Sequence, residues 1–118
     1  MSFVTETAPI PEMPEAGTVH LRGRVTWREA PRVRKCLLGE MSGNSASKIV
    51  LELAGVEEMD TAGAAVLAEV LKHGITRGKR VLLCSPSEPI LRIFRLAGFD
   101  EVLQHCCVDP QETWRRLQ

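Results

Sequence analysis

From Thr18 the chain alternates: Val19, Leu21 and Gly23 fall between His20, Arg22 and Arg24, the period of two that marks a strand with one face covered. Thr26 with Glu29 three residues on reads as a capping box, hydroxyl and carboxylate each satisfying a backbone N–H that a starting helix leaves open. Val33, Leu37, Leu38 and Met41 then supply the buried stripe of that helix, and the Gly, Asn and Ser cluster at 42–47 predicts a loop. Ile49-Val50-Leu51, inside Lys48 to Leu53, is near-continuous and β-branched, as a central strand covered on both faces should be. After Gly55 and the acidic Val56-Glu57-Glu58-Met59, Asp60 is placed to cap a second helix reaching about Arg77. Val66, Leu67, Val70, Leu71 and Ile75 repeat there at helical spacing, with Glu69, Lys72, His73 and Arg77 facing outward and Gly78 as the stop.

Val81-Leu82-Leu83-Cys84 predicts another buried strand, and Ser87 a cap for a third helix whose apolar face is Ile90, Leu91, Phe94 and Ala97. Val102 and Leu103, extending toward Val108, predict a last strand, and Asp109-Pro110 with Glu112 opens a terminal helix. Strand and helix therefore alternate, which demands a mostly parallel sheet with right-handed crossovers. The expectation is one α/β domain over residues 17–118, with a four- or five-stranded sheet and about four helices. Residues 1–16, with Pro9, Pro11 and Pro14 among acidic and small residues, are expected to form a flexible arm with room for an edge strand at 3–7.

Composition narrows the function. Lys plus Arg equals Asp plus Glu at 15 each, so no excess positive field exists to gather nucleic acid. No apolar run approaches the roughly 20 residues that cross a bilayer, and Met1-Ser2-Phe3 leads into an acidic stretch, so no direct membrane insertion and a cytoplasmic location are expected. The four cysteines show neither C-x-x-C spacing nor paired histidines that would close a zinc site, so no metal is expected. They read as buried or incidental thiols; a Cys106-Cys107 redox pair is disfavoured because adjacent strand residues point to opposite faces. His20, His73 and His105 are scattered, and no nucleophile elbow, phosphate loop or H-E-x-x-H accompanies them. No catalytic residues and no cofactor are expected, and Trp27 and Trp114 read as partly buried packing residues.

The informative stretch is Glu57-Glu58-Met59-Asp60-Thr61-Ala62-Gly63, a strand leading through a short acidic loop into a helix whose first turn holds a hydroxyl. By itself it is a helix cap. Asp60-Thr61-Ala62-Gly63 also resembles the Asp-Ser-Ser-Gly signature of STAS domains in bacterial anti-sigma-factor antagonists. The resemblance extends over roughly residues 18–117: Lys48 to Val56 is similar to the family's central strand and turn, Gly78 to Cys84 to its next strand, and Ser87 to Phe99 to its third helix. It implies a STAS-type fold and a non-catalytic protein-binding module, with Thr61 as the residue phosphorylated by a partner that is both anti-sigma factor and serine kinase with bound ATP. The docking surface is then expected at Glu57, Glu58, Met59, Asp60, Thr61, Ala62, Gly63 and Ala64, with Arg24 and Thr26 beside it. Where the family often carries Gly-Glu-Leu-Asp, this chain has Gly23-Arg24-Val25-Thr26, so a basic side chain replaces a carboxylate. The runner-up reading of the resemblance is an accessory subunit that contacts an ABC-type ATPase of a lipid-transport complex through Thr61, and a third is a scaffold of the stressosome or anion-transporter kind. No pattern in the chain bears on oligomeric state.

Overall fold

The structure is a computed structural model that describes residues 3–43 and 45–118; Met1, Ser2 and Asn44, which fall in the expected arm and loop, lie outside the described residues. Among the described residues ten elements follow one another: β1 (Phe3–Ile10), β2 (Met13–Val25), α1 (Ala30–Gly43), β3 (Lys48–Met59), α2 (Thr61–Thr76), β4 (Arg80–Cys84), α3 (Glu88–Leu96), α4 (Asp100–Leu103), β5 (Cys106–Cys107) and α5 (Pro110–Leu117). The five strands lie in one sheet in chain order, β1 antiparallel to β2 and every later pair parallel. A sheet that always steps in one direction through right-handed crossovers keeps its connecting helices on one face. Accordingly Val19, Leu21, Ile49, Leu51, Val81 and Leu83 point into one core with Val33, Leu37 and Met41 of α1, Leu67 and Val70 of α2, and Phe94 of α3. The other face carries a smaller cluster, in which Leu117 of α5 covers Val50, Leu82, Cys84 and Cys107. Each large side chain buried this way contributes roughly 1.5–3 kcal/mol of transfer free energy.

Two expectations are corrected. Residues 3–16 do not form a loose arm: β1 pairs with β2 from Phe3↔Gly23 to Ile10↔Met13, so the expected edge strand is longer and belongs to a hairpin. The prolines permit this because Pro9 sits on an edge strand, Pro11 in the connecting turn, and Pro14 ahead of Ala16, where pairing with β3 begins. Val102 and Leu103 lie in the helical turn α4, and the last strand shrinks to Cys106–Cys107, paired with Leu83 and Cys84. The cause is the closure of α3. Gly98 takes φ 78°, and the Phe99 N–H donates to the Phe94 carbonyl at 2.9 Å, a glycine-dependent helix stop that turns Phe99 back toward the core.

Candidate functional site

Strands β2 and β3 run side by side beyond the end of β4, with Arg24 opposite Glu58 and Val25 opposite Met59, and each then turns into a helix. The two junctions meet at Asp60. Its backbone is extended (φ −120°, ψ −173°), its carbonyl accepts from Ala64 N–H at 3.0 Å, and its Oδ1 accepts from Gly63 N–H at 2.9 Å, capping α2. Its Oδ2 accepts from the Trp27 backbone N–H, also at 2.9 Å, so one carboxylate fixes the β2–α1 loop to the start of α2. The approach is close: a Cβ on Gly63 would lie 1.9 Å from the Val25 carbonyl oxygen, which explains why glycine occupies that position.

Thr61 is the first residue of α2 and is exposed, and its hydroxyl has no hydrogen-bond partner among the described residues. Glu57, near the end of β3, is also exposed, and Glu58 forms an ion pair with Arg24 at 3.0 Å. Both side chains of that pair are more than half exposed, so its stabilisation falls within about 0–1 kcal/mol. Its effect is local: Arg24 takes up one of the carboxylates that crowd this edge. Ala62 is half-buried.

The remaining residues expected at the docking surface are inside the molecule. Met59 and Ala64 belong to the main core and Gly63 is pinned against β2, so all three position the junction rather than present a side chain. Thr26 is 7% exposed and its hydroxyl donates to Glu29 Oε1 at 2.6 Å, while the same oxygen accepts the Thr26 backbone N–H at 2.9 Å. The carboxylate takes the Thr26 backbone N–H as a capping box expects, and the buried threonine hydroxyl donates to that same carboxylate, which turns it inward.

Trp27 is the residue that sequence reasoning missed. It is 66% exposed, its ring stacked under the Arg28 guanidinium at 5.3 Å, and its backbone N–H is tied to Asp60, the residue that caps the helix Thr61 opens. The available signal was its position off the Val33, Leu37, Met41 stripe, immediately after the residue that opens the turn into α1.

The mostly parallel sheet, with its connecting helices on one face and α5 on the other, is a fold shared with solved STAS-type structures. Residues 10–105 match the family described as Mlab, STAS domain, and the chain belongs to that family. Among solved structures it is similar to the Bacillus cell fate determinant SpoIIAA in the phosphorylated form, with a TM-score of 0.68 and 14% identity over 98% of this chain and 100% of that one. The unphosphorylated form of SpoIIAA gives 0.72 at 14% identity, over 97% and 96%. An anti-sigma factor antagonist from Mycobacterium paratuberculosis gives 0.69 at 19% identity, over 85% and 81%. The murine anion transporter Slc26a9 gives 0.71 at 15% identity, over 89% of this chain and 20% of that one. At these identities the likeness is one of fold.

Proposed function

We propose that this domain is a non-catalytic regulatory module of the cytoplasm that docks through its β3–α2 junction onto an anti-sigma factor with serine kinase activity and bound ATP, and that phosphorylation of Thr61 releases it. The observation that carries this reading is the exposed Thr61 hydroxyl at the head of a helix capped by another side chain, Asp60. Because the hydroxyl supports nothing inside the fold, a kinase can modify it without dismantling α2. A phosphate adds about −1.5 to −2 charges at pH 7, and a helix N-terminus accommodates an anion, so the modified domain stays folded. The same charge, added to that of Glu57, opposes desolvation against an acidic partner surface. Incubation with the cognate kinase and ATP should add one phosphate per chain and none to Thr61→Ala. Thr61→Glu should weaken partner binding by about a hundredfold. Label persisting in Thr61→Ala would refute the assignment.

A second reading is favoured by Trp27. An exposed indole on the loop that Asp60 ties to the start of α2 is the kind of aromatic anchor that stable interfaces bury, which suits lasting attachment to an ABC-type ATPase of a lipid-transport complex. On this reading Thr61 is a contact residue that never needs phosphate. The domain then co-purifies stoichiometrically with the ATPase, and Trp27→Ala and Thr61→Ala each break that complex.

A further inference from the structure

Toward the far end of α2 from Thr61, a groove of about 680 Å³ opens between that helix and the turn joining α3 to α4. Leu71 and Ile75 of α2 and Phe99 give it an apolar lining, Asp100 and Glu101 stand on the α4 side, and the exposed Lys72 stands on the α2 side. Ile75 is 43% exposed, so the apolar wall reaches solvent. Both carboxylates are exposed, and neither has an ion-pair partner among the described residues.

Next to this groove is an apolar side chain with nowhere to go. Leu96 is 81% exposed, the most exposed of the large hydrophobic residues among those described. Helix α3 buries Ile90 and Phe94, and its glycine stop turns Phe99 inward while leaving Leu96 on the outer side. Arg92 lies one turn earlier on the same exposed stripe, since residues four apart share a helix face. It too has no ion-pair partner among the described residues, whereas Arg95 is paired with Glu88. The molecule therefore displays a knob, Leu96 with a cation one turn away, and a socket, an apolar groove with two carboxylates on its rim. Leu96 does not fill the groove of its own chain.

We propose that a second copy of this chain fills it: in a two-fold dimer each Leu96 enters the other's groove and each Arg92 meets the other's Asp100 and Glu101. Such a contact is self-complementary and closed, so it yields dimers rather than filaments. Charge agrees with shape, because the two carboxylates of the groove outnumber its one lysine, Lys72, and leave an acidic rim for Arg92 to meet. Helix α2 has 16 residues and is about 24 Å long, so the dimer leaves both Thr61 faces open and presents two docking sites in one assembly. The proposal does not depend on which partner Thr61 meets.

Sedimentation across a concentration series tests it on the intact chain. The weight-average mass should rise from 13.1 kDa toward twice that value as concentration increases. Leu96→Glu, at a solvent-facing position, should stay monomeric throughout. Arg92→Glu alone, or Asp100→Arg with Glu101→Arg, should each raise the dissociation constant about tenfold or more. An equimolar mixture of the two charge-reversed chains should form heterodimers in which both contacts are oppositely charged, one native and one reversed, and the triple variant should recover both as a homodimer, which a folding defect could not do. A wild-type chain that stays monomeric to the highest concentration, a dimer that survives Leu96→Glu, or charge reversals that fail to rescue one another would overturn the proposal.

Discussion

Thr26 and Thr61 stand at neighbouring strand-to-helix junctions at one end of the sheet, and the fold uses them in opposite ways. At the first, the threonine heads the turn into α1, and its hydroxyl is spent inside on Glu29, itself only 4% exposed. At the second, Asp60 takes the capping position and Thr61 moves one residue on, to the exposed start of α2. A hydroxyl at a helix start is available to a partner only when another side chain satisfies the open N–H groups. The same residue type is thereby a structural part in one loop and an addressable group in the next.

Substitutions along this pair of junctions should grade from severe to silent in chemical denaturation. Gly63→Ala drives a Cβ into the Val25 carbonyl and should force α2 away from β2, costing about 3 kcal/mol. Glu29→Ala leaves the buried Thr26 hydroxyl and N–H without their shared acceptor, for about 2 kcal/mol. Asp60→Ala, which removes one cap and the tether to Trp27, should cost about 1 kcal/mol. Thr61→Ala should change stability by less than about 0.5 kcal/mol while abolishing the phosphate label; a larger loss would mean that Thr61 is a structural part like Thr26.

The smallest effect serves as a control remote from both junctions. Burial pushes the Cys84 thiol up to about 12, with the Thr113 hydrogen bond pulling the other way. Its folded value lies above the unfolded one of about 8.5, so its contribution is complete below that pH and is lost as pH climbs toward about 12. Stability should decline across this alkaline window, and Cys84→Val should flatten the slope without altering the behaviour of either threonine.

The central strands and α2 were legible because their signal is periodic: Val19 and Leu21, Ile49 to Leu51, and Val66 to Leu71 take their faces from spacing alone. Hairpin β1–β2 was not, because proline reads as a strand breaker unless the pairing partner of each N–H is known. Pro9 and Pro14 fall where the sheet asks for none of consequence. Val102-Leu103 misled because two apolar residues cannot distinguish one helical turn from a short strand. At the site, Asp60 and Thr61 were legible from their place between an apolar strand and an apolar helix stripe. Which side chains of the adjoining loop face solvent was not, since a loop has no period: Thr26 turned in and Trp27 turned out through hydrogen bonds to residues 29 and 60.

The double grip of Asp60 makes the junction optically self-reporting. Trp27 is one of two tryptophans in the chain, and its indole stands in water a few bonds from the carboxylate that caps α2. A protein landing on Thr61 would blanket that ring and shift its emission to the blue, so occupancy of the surface could be followed by intrinsic fluorescence in an unlabelled chain.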